Sequence, residues 1–121
     1  MIEIDGPFYR VRADGFELTI PRWTGHDPDT THEADATITL PDGSRHYATF
    51  MTLEAIQQVM DRHQATGECR SGRYFWTTDL IITRQPGIPA MTDAVADLIA
   101  TDNLAAACGA LRRDQDPEND Q

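Results

Sequence analysis

The sequence contains no lysine, since all ten of its basic residues are arginines. Schiff-base aldolases and pyridoxal-phosphate enzymes need a lysine amine, while P-loop nucleotide hydrolases and protein kinases need a lysine that contacts phosphate. These enzyme classes are therefore excluded. GC-rich coding is the simplest explanation of the absence, because alanine, aspartate, arginine, threonine and glycine are all plentiful.

Serine and cysteine are nearly as scarce. The two serines, Ser44 and Ser71, lie in turn-like segments, and neither belongs to the G-x-S-x-G pattern of a nucleophile elbow. The two cysteines, Cys69 and Cys108, have no C-x-x-C partner, which excludes a four-thiolate zinc site. The glycine pattern of dinucleotide-binding proteins and the H-E-x-x-H zinc pattern are also missing, and the sequence predicts no cofactor.

Long apolar runs do not occur. No stretch approaches the ~18 residues of a membrane span, and the first residues lack the basic and apolar regions of a signal peptide. We therefore expect a cytoplasmic protein whose thiols are both reduced.

Acidic residues outnumber basic ones by 20 to 10, which gives a formal net charge of −10 at pH 7. This charge repels phosphate backbones and anionic lipids, so we expect neither general nucleic-acid binding nor membrane binding. The same field attracts cationic macromolecules and raises their association rates. The predicted partner is another protein with a basic surface.

The length of 121 residues corresponds to one ordinary domain. Residues 1–113 carry the hydrophobic patterns of a folded domain, whereas residues 114–121 have nothing to bury. The sequence therefore predicts a single domain at 1–113 and an acidic flexible tail at 114–121.

The first half of the chain has the pattern of antiparallel strands. Residues 8–12 and 16–23 flank one glycine-containing turn, and residues 36–40 and 46–51 flank another. Apolar and polar side chains alternate along these runs, which indicates a sheet with one buried face. If strand 8–12 lies at the edge of the sheet, a second copy of the chain could pair with it, so a homodimer is possible.

The apolar period changes at Thr52 to that of a helix. Thr52 is a predicted N-cap and Gly67 a predicted C-cap of this helix. In residues 74–83 both the odd-numbered and the even-numbered positions are apolar, except for Asp79. This pattern predicts a central strand covered on both faces. Two further helices are expected, one after a cap at Thr92 and one from Leu104.

These elements predict an α+β fold with a single antiparallel sheet of about five strands, in the order β-β-β-β-α-β-α-α. Two or three helices are expected to pack on one face of this sheet. The sequence does not decide what covers the other face. Tyr47, Thr49, Met51 and residues 74–76 either form an exposed partner surface or belong to the core.

Loop 24–33 concentrates residue types that bind metals. Its imidazoles and carboxylates, above all His26, Asp29 and His32, could hold Zn²⁺ or another divalent ion in an open site. Their spacing matches no established template, so the alternative is a solvated polar loop without metal.

Residues 70–76 form the one locally basic and aromatic stretch of the chain. The guanidinium groups of Arg70 and Arg73 suit a carboxylate or a phosphate, and Tyr74 or Trp76 could stack on a flat ligand. The alternative is an ordinary loop whose arginines pair with nearby carboxylates.

Three further residues suggest chemistry close to this stretch. Cys69 could be a nucleophile with His63 as its base, although no orienting group or oxyanion hole is visible, and both side chains are typical of structural roles. Asp79 lies in the most apolar segment, where a buried carboxylate needs a partner or a raised pKa. The candidate partners of Asp79 are Arg45, Arg73 and Arg84.

Two functional hypotheses follow from the sequence. The first is a non-catalytic acidic module, similar in mode of action to immunity proteins, inhibitors or adaptors, that engages a basic partner. The second is a small enzyme or anionic-ligand-binding domain that uses residues 70–76 with His63 and Cys69. We favour the first, because no catalytic pattern is present and the charge excess suits a cationic partner.

Overall fold

Five consecutive strands form an antiparallel meander in the computed structural model, which describes residues 2–25 and 27–110. The strands are β1 (Ile2–Asp5), β2 (Phe8–Ala13), β3 (Phe16–Pro21), β4 (Glu33–Thr39) and β5 (Arg45–Thr52). Each strand pairs with the next one in the chain; short turns join all of them except β3 and β4, which are joined by the longer loop 22–32. The predicted tail 114–121 and His26 lie outside the described residues.

A helix then carries the chain to a sixth strand. Helix α1 (Leu53–Thr66) begins at Thr52, whose side-chain oxygen accepts a 3.1 Å hydrogen bond from the Ala55 amide, and ends at Gly67 with φ of 87°. Both predicted caps of α1 are therefore confirmed, whereas the predicted cap at Thr92 is wrong, because that residue lies inside the helix Ile88–Ala100, whose N-cap is Gly87. A short α2 (Glu68–Gly72) follows, and β6 (Leu80–Thr83) then pairs with β5 in parallel. The last elements are α3 (Ile88–Ala100) and α4 (Leu104–Ala107).

The α+β fold with one sheet is confirmed, with two corrections to the sheet. It has six strands rather than five, because β1 lies before the first predicted strand. It is mixed rather than antiparallel, because α1 returns the chain to the same end of the sheet before β6 begins. In addition, the predicted edge strand at 8–12 corresponds to β2, which pairs on both sides, and the edge strand is β1.

The main core lies between the sheet and α3 with α4. Alternate residues of β2 to β5 point into it, as the period-2 pattern predicts. Ile88, Met91 and Val95 from α3, with Leu104 from α4, close this core from the other side. The side chains that the sheet contributes are Tyr9, Val11, Phe16, Leu18, Ile20, Ala34, Ala36, Ile38, Ala48 and Phe50.

The opposite face is covered in two different ways. At the β5–β6 end, α1 packs on it through Ala55 and Val59, which form a second core with Met51. The expectation that all helices lie on one face was therefore wrong. Over β2 to β4 this face is polar, and threonines such as Thr19 and Thr37 are buried among neighbouring side chains.

The segment 74–83 is less regular than its composition predicts. Only Leu80–Thr83 forms a strand, and it is an edge strand rather than a central one. Phe75 packs on the second core, while Tyr74 and Trp76 are exposed. Asp79 ends the irregular stretch with φ of 55°, a left-handed conformation that aspartate tolerates better than most residues.

Candidate functional site: an apolar groove with an acidic rim

An open groove of about 780 Å³ separates the β1 end of the sheet from helix α3. Strands β1, β2 and β3 form one wall, α3 forms the opposite wall, and residues 28–29 close one side. The residues that line it are Ile2, Ile4, Tyr9, Val11, Ala13, Asp14, Phe16, Pro28, Asp29, Pro89, Thr92, Asp93 and Ala96. A mainly apolar concave surface with few polar groups is typical of a binding site.

The floor of the groove is apolar because the strands alternate. Ile2 and Ile4 lie opposite Val11 and Tyr9 in the β1–β2 ladder, and all four side chains point to the α3 face. Tyr9 is buried, whereas Ile4, which lies opposite it, keeps 66% of its surface exposed. Ile4 therefore extends the apolar lining of the groove toward its open side.

The rim of the groove is acidic. Asp14 lies in the β2–β3 turn, Asp29 in the loop before β4, and Asp93 on α3, and all three are exposed. None of the three forms an ion pair with any residue in the parts 2–25 and 27–110 of the chain. Arg84 lines a neighbouring pocket with Asp29 and Asp93, but it forms no ion pair with either of them. Three carboxylates without an ion pair place negative potential around an apolar floor, which favours cationic groups.

Gly87 fixes the loop that carries Asp29 against α3. The Gly87 amide donates to the Thr31 carbonyl oxygen at 2.8 Å, and the Ile88 amide donates to the Pro28 carbonyl oxygen at 2.8 Å. A Cβ at Gly87 would lie 2.5 Å from the Asp29 carbonyl oxygen, and φ there is +100°. Only glycine fits such a close approach in this conformation, so the wall of the groove depends on it.

The four basic and aromatic residues of the predicted anion site lie elsewhere, beyond the end of α1. Arg70, Arg73, Tyr74 and Trp76 are all exposed, and the side chain of Trp76 keeps 66% of its surface accessible. Neither arginine forms an ion pair with a described residue. This differs from the alternative prediction of a loop whose arginines pair with nearby carboxylates. None of these four residues lines the groove.

His63 is buried on the apolar stripe of α1, as its position predicts. Its Nε2 atom lies 3.6 Å from a carboxylate oxygen of Glu68, and its ring centroid lies 6.3 Å from that of Phe75. The half-buried Cys69 follows Glu68 in a left-handed turn with φ of 49°. The structure thus pairs His63 with Glu68 and shows no hydrogen bond to the Cys69 thiol within the described residues.

The residues of the predicted metal site have separate surroundings. Asp29 lies on the rim of the groove, while His32 Nδ1 lies 2.7 Å from Thr52 Oγ1. No group of three histidine, cysteine, aspartate or glutamate residues with metal-binding geometry occurs in the described part of the chain. Because His26 lies outside that part, a site that includes it stays a prediction.

The contact of His32 was not foreseen from the sequence. Thr52 Oγ1 already accepts a bond from the Ala55 amide, and His32 Nε2 lies 3.7 Å from a Glu54 carboxylate oxygen. This order of hydroxyl, imidazole and carboxylate resembles a catalytic triad in composition. The hydroxyl caps a helix and Thr52 is only 2% exposed, so a substrate cannot reach it, and the contact ties loop 24–33 to α1.

Asp79 has a structural partner that differs from the predicted arginines. Its carboxylate accepts a 2.9 Å hydrogen bond from the Gly109 amide, and the Gly109 carbonyl oxygen accepts one from the Tyr47 amide. This places residues 109–110 beside the first half of β5. Burial, with a smaller contribution from the Asp79 carboxylate, raises the pKa of the nearby Cys108 thiol to about 11.

The groove could not be predicted from the sequence, because two of its walls come from segments with weak patterns. The alternation of Ile2 and Ile4 with Glu3 and Asp5 is a strand signal, but it spans only four residues. The acidic rim joins three aspartates that are far apart in the chain. Only the packing of α3 against the sheet brings them together.

Comparison with known proteins gives no identity for this fold. No protein-family model matches the chain, and neither the curated proteins nor the solved structures provide a significant match. Among the described residues, no helix is long and apolar enough to cross a membrane.

Proposed function

We propose that the protein is a non-catalytic binding module that engages a basic partner protein through the groove. The observation that carries this proposal is the combination of an apolar floor with three exposed aspartates, Asp14, Asp29 and Asp93, that have no arginine partner among the described residues. The apolar floor provides area to bury, and the carboxylates select a cationic partner.

The net charge of −10 supports the same proposal. A strongly negative protein attracts a positive one over distances of about 10 Å at moderate salt, which raises the association rate. Immunity proteins, inhibitors and adaptors act in this way without a chemical step. The free thiols of Cys69 and Cys108 suit a reducing, cytoplasmic setting, which we include in the proposal.

The alternative of a small enzyme or anion-binding domain has weaker support. The exposed Arg70 and Arg73 suit an anion, but their side chains lie on an open surface rather than around the groove. His63 faces Glu68, and Thr52 is buried as a helix cap. We therefore favour partner binding over catalysis.

The test compares two variants of equal net charge. Asp14→Asn with Asp93→Asn removes two charges from the rim, and Asp61→Asn with Asp102→Asn removes two exposed charges away from the groove. Proteins retained from an extract of the source organism by the unmodified chain are identified, purified and titrated with all three forms at low and high salt. We expect a basic partner whose affinity falls about tenfold or more with the rim variant and much less with the control.

Other results of this experiment would contradict the proposal. An acidic partner, an affinity that does not change with salt, or equal losses in the two variants would remove the role of the rim. Failure to bind any basic protein would remove the function itself.

A further inference from the structure

Strand β1 is an open edge of the sheet that runs along the groove. Among the residues that the structure describes, it pairs with β2 alone, so its remaining backbone N–H and C=O groups point outward. Ile2 and Ile4 from the same strand line the groove. An edge with free backbone groups beside an apolar groove can accept an added strand.

The two faces of β1 differ in chemistry. On the groove face, Ile2 and Ile4 continue the apolar floor. On the other face, Glu3 and Asp5 are exposed. An added strand would place alternate side chains on these two faces, because successive residues of a strand point to opposite sides.

The polar face next to β1 carries an excess of negative charge. Arg10 Nε lies 2.8 Å from Asp5 and its Nη1 lies 2.6 Å from Glu17, while Arg12 lies 3.5 Å from Glu3 and 3.2 Å from Glu17. Three carboxylates therefore share two guanidinium groups. An additional cation on this face would be attracted rather than repelled.

We infer that the basic partner binds by adding a β-strand to β1, with apolar side chains in the groove and arginine or lysine side chains on the opposite face. This inference rests on the proposed function and specifies how the partner is recognised. The backbone bonds provide affinity, and the alternation of apolar and cationic residues provides specificity. The added segment is about four residues long, to match β1.

A second copy of this chain is a poor occupant of the same edge. In a symmetric antiparallel dimer, residues that share a face lie opposite each other. The registers that overlap most of β1 would place Glu3 opposite either its own copy or Asp5 of the other chain. Like charges directly opposite each other destabilise a sheet, which favours a cationic strand over self-association.

The other edge of the sheet also differs from β1. At β6 the exposed edge isoleucine is Ile82, and the following residue after the strand is the exposed Arg84. An arginine beside this edge opposes a cationic strand. Ile82 therefore provides a control position, because it matches Ile4 in residue type and in its place on an edge strand.

The first test uses a synthetic peptide of about seven residues in which valine and lysine alternate. Two derivatives carry N-methyl groups on either all valines or all lysines, so that each loses the donors along one backbone edge. We expect one derivative to lose about tenfold or more in affinity and the other to bind like the unmodified peptide. Equal affinities of the two derivatives, or no binding of the unmodified peptide, would overturn the inference.

The second test follows the protein in the same titration. Amide hydrogen exchange in Ile2–Asp5 should slow when the peptide binds, because added backbone bonds protect these amides. Ile4→Thr should weaken binding severalfold, whereas Ile82→Thr should leave it unchanged. Unchanged exchange in β1, or equal effects of the two substitutions, would contradict strand addition.

The two levels of the proposal can fail separately. If Asp14→Asn with Asp93→Asn weakens binding of a basic partner while exchange in β1 stays unchanged, the partner occupies the groove without extending the sheet. The inference then fails and the proposed function stands. If no basic protein binds the chain at all, the proposed function fails as well.

Discussion

The two ends of the sheet differ in how they are covered. At the β5–β6 end, α1 packs on one face and α3 on the other, so that Phe50 and Met51 are both buried although they point in opposite directions. At the β1 end, α3 stands away from the sheet, and the groove lies between them. The opposite face at that end carries ion pairs instead of a helix.

This difference explains how one small domain combines stability with an open surface. The covered end buries apolar side chains on both faces of the sheet, and each fully buried large side chain contributes about 1.5–3 kcal/mol. The β1 end retains exposed aliphatic and acidic side chains. Within the described part of the chain, the ion pairs of these carboxylates are those with Arg10 and Arg12. The covered end stabilises the fold, and the open end is left for the partner.

The largest expected effect comes from a methyl group added at one glycine of each end. Gly87→Ala places a Cβ against the Asp29 carbonyl at the groove, and Gly72→Ala places one against the Met60 carbonyl in α1, both at positive φ. We expect each variant to lose about 3 kcal/mol or more of unfolding free energy, measured by urea denaturation. Only Gly87→Ala should also weaken partner binding.

Gly43→Ala is the control for this pair. Its φ is +88°, but a Cβ there meets no atom within 4 Å. It should therefore cost only about 1 kcal/mol, from the backbone conformation alone. If Gly72→Ala reduced partner binding as much as Gly87→Ala, the two ends would not be separable.

A smaller effect is expected where residues 109–110 attach to the covered end. Asp79→Ala removes the acceptor of the Gly109 amide and a residue that tolerates φ of 55°, so it should cost about 2 kcal/mol and speed exchange of the Tyr47 amide. Asp79→Asn keeps an acceptor and this tolerance, so it should cost less than about 1 kcal/mol. An equal loss in both variants would show that the charge matters instead.

The sequence predicts most elements of this fold correctly where the patterns are long. The period of α1 and its caps at Thr52 and Gly67 are local features, and both are confirmed. The strands in the first half follow from alternation. Strand β1 was not predicted, because four residues give too short a pattern. The direction of β6 was not predicted either, because parallel pairing depends on where α1 returns the chain.

Much less of the candidate site could be predicted. The segment 74–83 has apolar residues at both odd and even positions because the neighbours Leu80 and Ile81 pack on different cores, and this composition resembles that of a regular central strand. Asp14, Asp29 and Asp93 are ordinary turn, loop and helix residues in the sequence. Their common place around one groove depends on long-range packing, which no local pattern reports.

The last expected effect appears only at alkaline pH and concerns the covered end. Burial raises the pKa of Cys108 to about 11, above its ordinary value of 9.0, so the folded state keeps this thiol protonated where the unfolded state loses the proton. The stabilisation is therefore complete below pH 9 and is lost as the pH rises to about 11. Urea denaturation across this range should show stability falling by at most about 1.4 kcal/mol per pH unit from this group, with a shallower fall in Cys108→Ala. If Cys108→Ala kept the wild-type slope, the covered end would admit solvent to this thiol where the structure excludes it.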